Sequence, residues 1–438
     1  MPLSSQRRTV GGTALSSVHF ALLYAAMLVA AAGNTALQSV MPAIGREIGT
    51  SDFWVTVSYT WSAVLWVIFA PYWARKSDIH GRKRLTMMGV AGFIVSMTLC
   101  GLILLGGLKH LVSGTVTFLF FGLFRAIYGT FGCATPSATQ AYLASKTRRN
   151  ARVTALSTLS SSFGLGTIIG PAMAPLFVVP GLTLSGPLFA FALIGAAVLF
   201  LIWRWLPDDT KPRHGPRPGH GAAMSYPSIA SATTGASVIA ATRPRGSVIK
   251  WTDPRIRNWI VAGVASGHAQ AATLSCIGFF TIDRLGLSPH GSEQSIAIVM
   301  MAGAAATLAA QWGLIPQLRL SPKHLILWGS TIAALGMVVT MFSANLYGLV
   351  LGFGLASLGF GFVRPGFTGG ASLAVPLAEQ GGVAGVITSA NGVCYVLAPG
   401  LGMALYAINP HWPFALCAAL LLGLVLWGRR RLTATPHP

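Results

Sequence analysis

Hydrophobic residues in this chain fall into long runs, and charge is gathered into short intervals between them. Phe53 to Ala74 contains no Asp, Glu, Lys or Arg, and neither does Leu85 to Leu108, yet residues 75–84 between them carry six charged side chains. As helices, such runs satisfy the ~20 residues that cover about 30 Å of hydrocarbon. A membrane barrel would instead show stretches of about 10 residues with alternating polarity, and none occur. The pattern predicts twelve spans, near 17–40, 53–74, 85–107, 115–144, 153–178, 184–206, 258–281, 294–316, 324–343, 346–369, 383–406 and 413–430. Where two helices join without a charge, turn chemistry divides them, as at Pro180-Gly181 and Asn409-Pro410. The start, with Arg7 and Arg8 before an apolar stretch, imitates a secretory signal. That stretch runs past a signal core, which favours a first spanning helix.

Composition agrees. A length of 438 residues could form two or three soluble domains, but 53% hydrophobic residues, 9% charged residues and a mean hydropathy of +0.65 exclude a water-soluble surface. The expected fold is therefore an all-α membrane protein. Twelve spans with a cytoplasmic N-terminus place 24 of the 30 Lys and Arg in inner loops and tails, as the positive-inside rule requires. Both termini are then cytoplasmic and the membrane is the cell inner membrane. The net charge of +21 is explained by bases facing anionic lipids of the inner leaflet. No soluble basic domain is available for nucleic acid. Residues 207–256, with seven prolines and scattered bases, read as a flexible basic cytoplasmic linker. It divides an N-terminal six-helix bundle, 1–206, from a C-terminal one, 257–438.

The halves echo one another. "GCATP" (Gly132 to Pro136) in span four matches "GFVRP" (Gly361 to Pro365) in span ten, and Gly170-Pro171 in span five matches Pro399-Gly400 in span eleven. Two related halves with a site between them near the midplane is a transporter plan.

Three stretches carry a family resemblance. "ARKSDIHGRKR" resembles the loop between helices two and three of the major facilitator superfamily. Asp78, Gly81, Arg82 and Lys83 match, while Ala74, Lys76 and Ile79 stand at its Gly, Leu and first Arg. "RAIYGTFG" (Arg125, Gly129, Gly132) resembles the intramembrane arginine signature of helix four. "GTIIGPAMAP" resembles the helix-five antiporter signature through Gly166, Gly170 and Pro171, with Ala174 and Pro175 at its final glycine pair. "FFTIDRLGLS" after span seven looks like the drug-efflux branch. The resemblance implies twelve helices in two pseudo-symmetric six-helix bundles, alternating access, and gating by Asp78, Gly81, Arg82, Lys83, Gly166, Gly170 and Pro171. It also implies that Asp78 bridges the halves on the cytoplasmic side, near the start of span eleven, while a bare positive-inside stop would explain the bases alone. Gly81 suits the tight turn there, and an acid is favourable beside a helix N-terminus.

Ionisable residues inside a membrane are functional candidates by default. Arg125 in span four and Arg364 in span ten are the cations, and His268 in span seven is a third candidate. Asn34 and Gln38, one turn apart in span one, share a face. Tyr59, Tyr128, Gln270, Asn391 and Tyr395 complete the expected lining. The nine carboxylates all fall in loops or at span ends. Proton-coupled exporters of the resembled superfamily commonly carry a helix-one acid where Asn34 stands. The coupling proton is therefore expected on His268, whose ordinary pKa of about 6.5 suits a pH switch, and next on Asp283. Structural readings compete: Arg125 bonding a kinked neighbour, Arg364 snorkelling to the interface, His268 packed and hydrogen-bonded.

The five cysteines sit in spans without paired spacing, so neither disulfide nor zinc is implied. The glycines form no phosphate loop, so no ATP drives the protein directly and no cofactor is expected. No cluster of acids, histidine and nucleophile suggests a membrane-embedded enzyme. The expectation is a monomeric secondary active transporter, an efflux antiporter exporting small amphipathic or drug-like compounds with protons as the candidate coupling ion. The alternative is uptake or exchange of a small organic anion held by Arg125 and Arg364.

Overall fold

The computed structural model describes residues 16–146, 152–208, 249–289, 291–376 and 379–432. A few side chains within helices, Asp78 among them, lie outside the described set. Apart from an isolated β-bridge between Val179 and Thr183, the described chain is helical. The N-terminal half holds α1 (Ser17–Glu47), α2 (Asp52–His80), α3 (Arg82–Leu108), α4 (Gly114–Ile127), α5 (Ala134–Lys146), α6 (Arg152–Met173) and α7 (Gly186–Trp205). The C-terminal half holds α8 (Arg257–Leu285), α9 (Ser292–Leu308), α10 (Ile315–Leu318), α11 (Pro322–Phe342), α12 (Leu346–Leu373), α13 (Gln380–Ile408) and α14 (Trp412–Arg431).

These make the twelve expected spans, because α4 and α5 are one span broken by a π-turn, Tyr128–Gly132, and α9 and α10 one broken at Ala309–Leu314. Eleven are long and apolar enough to cross a membrane, and the fifth contributes a shorter apolar helix, Ser161–Phe177. Several helices outrun the expected spans: α1 runs through Pro42 to Glu47, and α2 continues to His80. Most of the expected linker, 209–248, lies outside the described residues.

The elements follow from local chemistry. Ser16 N-caps α1 by accepting from the His19 amide, and Asn345 caps α12 by accepting from the Gly348 amide at 2.9 Å. Gly81, at φ 91°, turns the chain between α2 and α3 in a conformation that side chains rarely adopt. The helices pack by close approach of small residues rather than by exclusion of water. A Cβ at Gly170 would lie 2.2 Å from the Ala32 carbonyl oxygen, and Thr35 on α1 donates to the Gly166 carbonyl at 3.2 Å. Outward faces are apolar, with Leu193 73% and Leu119 70% exposed. Trp54, Trp203 and Trp412 are exposed near helix ends, where aromatic belts meet the headgroups.

An even number of spans brings both ends of the described chain to one end of the bundle, and the start of α8 lies there too, where the Asn258 side-chain amide donates to the Arg431 carbonyl at 3.0 Å. It is called here the terminal end, and its opposite the far end.

Candidate functional site

A central cavity of about 110 Å³ lies between the halves, walled by α1, α2, α4 and the π-turn on one side and by α8, α9 and α13 on the other. The N-terminal half supplies most of its polarity, through Asn34, Gln38, Thr56, Tyr59, Thr60, Ser62, Arg125 and Tyr128. The C-terminal half supplies Ala271, Leu274, Ile277, Phe279, Met300 and Pro399, relieved by Ser275 and Tyr395. Among the described lining residues Arg125 is the one charged side chain.

Arg125 is 2% exposed. Its Nη2 donates to Asn34 Oδ1, while Nε and Nη1 have no hydrogen-bond partner among the described residues. The guanidinium carbon lies 4.4 Å from the Tyr128 ring centroid and 5.8 Å from that of Tyr59. Each such contact is worth about 0.5–2 kcal/mol, against about 2.5–3.5 kcal/mol for an arginine at the centre of a spanning helix. The ring beneath Arg125 is set by the π-turn. Trp73 Nε1 donates to the Thr130 carbonyl at 2.6 Å, and Tyr128 packs so tightly on Gly132 that a Cβ there would lie 2.4 Å from the ring. The glycine spacing after Arg125 is thus explained within the half: the first glycine, Gly129, admits the Ser62 backbone of α2 and the second admits the ring.

The far end is sealed above the cavity. Pro42 of α1 meets Gly278 of α8, where a Cβ would lie 2.5 Å from the proline ring. Beyond that crossing Arg46 sits over the Phe279 ring at 5.8 Å. Its guanidinium donates to Asp52 of its own half at 2.7 and 2.5 Å and to Asp283 of the other half at 2.6 and 3.0 Å. Tyr406 Oη on α13 donates to Asp283 at 2.6 Å. Towards the terminal end a small void of about 10 Å³ is lined by Gln270, Arg364, Asn391 and Tyr395, with Tyr395 shared between the two spaces.

The structure therefore gathers Asn34, Gln38, Tyr59, Arg125, Tyr128 and Tyr395 around one space, and Gln270, Arg364 and Asn391 around its neighbour. His268 lines neither, and its Nδ1 is hydrogen-bonded at 2.8 Å to the Val264 carbonyl of its own helix. Gly166, Gly170 and Pro171 pack or bend α6 against α1 within one half. Lys83 bonds the Trp203 carbonyl at 3.1 Å, also within one half, and lies 3.5 Å from Asp208, just after α7. Arg82 begins α3. Asp78 lies in the last turns of α2, and its side chain is outside the described residues. Sequence reasoning missed Pro42, Gly278, Phe279 and the Arg46 bridge. The signal available for the last was an outer arginine, Arg46, six residues before Asp52. All five cysteines are free and buried, and no group of three metal-binding side chains occurs among the described residues.

Two helical halves meeting around a central cavity, closed at one end by a cross-half contact, define a polytopic transporter. Residues 23–318, more than half of the 438-residue chain, match the family model of the Major Facilitator Superfamily, and the chain belongs to that superfamily. It is 25% identical over 189 residues to multidrug resistance protein 3 of Bacillus subtilis, covering 43% of this chain and 34% of that protein. The matches reach 22% to 39% of the length of the curated relatives. Among solved structures, the human organic anion transporter MFSD10 superposes with a TM-score of 0.62 at 16% identity over 94% of this chain and 99% of that one. The nucleoside transporter NupG superposes with 0.69 at 11% identity over 95% and 100%. At these identities the two structures show the fold alone.

Proposed function

We propose that this protein is a secondary active transporter that works by alternating access and exports small amphipathic or drug-like compounds across the cell inner membrane. The observation that carries the reading is the central cavity roofed by the Pro42–Gly278 crossing and the Arg46–Asp283 bridge. A space sealed at one end by contacts that rocking could break is what alternating access needs. The stretches similar to multidrug resistance proteins support export over uptake. In this reading the terminal end is cytoplasmic, in keeping with the bases gathered there, and the far end faces outward.

Coupling to protons is assigned to Asp283 in preference to His268. Asp283 is the acid whose charge holds the cross-half contact, so protonating it would release Arg46 from the other half. His268 commits one ring nitrogen to its own helix. The test is transport by the purified protein in proteoliposomes, alongside growth of a deletion strain across a compound panel with and without an uncoupler. Accumulation that follows an imposed pH gradient is the expected result. Transport indifferent to the gradient would leave exchange or facilitated diffusion, and no movement of any compound would remove the reading.

A further inference from the structure

We infer that the central cavity takes a lipophilic organic anion, an aromatic carboxylate being the type, with its carboxylate seated on Arg125. This rests on the transporter reading of the same cavity and names its substrate class. Arg125 is buried, and its charge meets no opposite charge among the described residues of the wall. Asn34 accepts one hydrogen bond but brings no charge. Of the five N–H donors on a guanidinium, the three on Nε and Nη1 are buried without an acceptor among the described residues, Arg125 lines the cavity, and a planar carboxylate is the group that fits such a fork. A bound ammonium would add a second uncompensated charge to a low-dielectric site.

The remaining wall decides what the carboxylate is attached to. Met41, Leu274, Ile277, Phe279 and Met300 offer hydrocarbon and sulfur, so a small hydrated anion would leave most of the surface unmatched. The Tyr59 and Tyr395 hydroxyls have no partner among the described residues, and both residues line the cavity. On the terminal side, across Tyr395, the neighbouring cavity is lined by a second guanidinium, Arg364. The route in that direction therefore carries the same sign of charge.

The test uses the full chain in nanodiscs of zwitterionic lipid and three probes of one shape: 1-naphthoate, 1-naphthamide and 1-naphthylmethylammonium. Binding is read by the fluorescence of Trp66 in the wall and by competition. Naphthoate should bind at least tenfold more tightly than the amide, and the ammonium most weakly. Arg125→Gln should bring naphthoate and naphthamide to equal affinity, while Arg125→Lys keeps part of the preference. Should the arginine variants fail to fold, Asn34→Asp keeps the arginine and supplies its missing counter-charge. It should lose the naphthoate preference by tenfold or more and gain ammonium binding.

The ammonium binding most tightly would overturn the inference, as would an unchanged preference in Asn34→Asp. Chloride displacing naphthoate as well as benzoate does would also overturn it, by assigning the site to any anion. Loss of the preference in phosphatidylglycerol nanodiscs would assign it to a lipid headgroup. Proteoliposome flux separates the two readings. Movement of the ammonium but not of naphthoate overturns the anion and leaves the transporter. Binding of naphthoate without movement of any probe does the reverse.

Discussion

The two ends of the bundle use arginine differently. At the far end Arg46 reaches across the molecule, holding Asp52 of its own half and Asp283 of the other, 237 positions away. At the terminal end Arg255, just before α8, holds Asp253, two positions away, and Glu379 at 2.8 Å, and Lys83 meets Asp208, just after α7; none of these pairs joins the N-terminal helices to the C-terminal ones. The chemistry is nearly the same and the consequence is opposite. A bridge that crosses between rigid bodies biases their relative position, whereas one inside a body only stiffens it. Among the described residues the ion pair that crosses between the halves lies at the far end, and under the proposed alternating access it would break as the cavity changes sides.

The strongest way to break the far end is steric. Gly278→Leu would force a side chain against the Pro42 ring, which cannot yield as a flexible side chain would. Overpacking of this kind costs about 1–3 kcal/mol, a shift of roughly fivefold to more than a hundredfold in the closed population. Transport should fall close to background. A cysteine placed at Thr56 in the cavity wall should then react with an impermeant maleimide from the far side. The native cysteines are buried, so their background should be low. Unchanged transport with a protected Thr56 cysteine would remove the crossing from the gate.

Removing the charge should act less. Hydrogen bonds to charged groups contribute about 1.5–3 kcal/mol. Arg46 and Asp283 keep side-chain exposures of 28% and 33%, and screening brings the expected loss to about 1 kcal/mol, or roughly fivefold. Asp283→Asn should open the far end by that factor and abolish the dependence of transport on an imposed pH gradient, with His268→Gln retaining it. The swap of Arg46→Asp with Asp283→Arg should recover closure in part. Loss of pH dependence in His268→Gln alone would move the proton to the histidine.

Asp78→Asn sharpens the comparison at the terminal end. If Asp78 joins the halves when that end closes, losing a charge beside a helix N-terminus costs about 0.3–1 kcal/mol. Transport should drop about two- to fivefold at near-normal expression, and distances between spin labels across that end should lengthen. An unchanged distance distribution would leave residues 75–84 as a topology signal alone. Least affected should be Arg255→Gln, since its pairs do not join the N-terminal helices to the C-terminal ones: transport should change less than about twofold. The Arg255 side chain hydrogen-bonded to Asp253 holds that carboxyl below the usual carboxylate range. A lowered acid contributes above the ordinary carboxylate pKa and loses its contribution only as pH falls through the lowered value. Transport profiles between pH 5 and 8 should therefore not register it.

Much of the architecture is written locally and can be read from the chain. Uncharged runs mark the spans, Gly81 marks the turn that its φ confirms, and Arg125 stands out as a cation in apolar surroundings. Asn34 and Gln38 share a face because they stand one helical turn apart, and Tyr59 is a lining candidate by residue type alone. What could not be read depends on contacts between distant segments. Nothing in the neighbourhood of Gly278 distinguishes it from other glycines until Pro42 of α1 arrives against it. Arg46 and Asp283 look like ordinary interface charges until the halves close. The π-turn has no strong signature, since "YGTFG" satisfies an α-helix equally well. His268 drew attention by its chemistry, but rotation about α8 decides which residues face the cavity, and there Gln270 and Ala271 take the places at its edge.

The unequal walls of the cavity also bear on how such a protein can change over generations. Its polar and charged side belongs largely to one half, its hydrocarbon side to the other, and the two sides are encoded more than a hundred residues apart. Exchanges among Leu274, Ile277 and Met300 would reshape the volume offered to a passenger while leaving Arg125, Asn34 and the rings around them undisturbed. Selection could then widen or redirect the repertoire through neutral-sized steps on α8 and α9, without passing through variants whose buried charge has lost its supports.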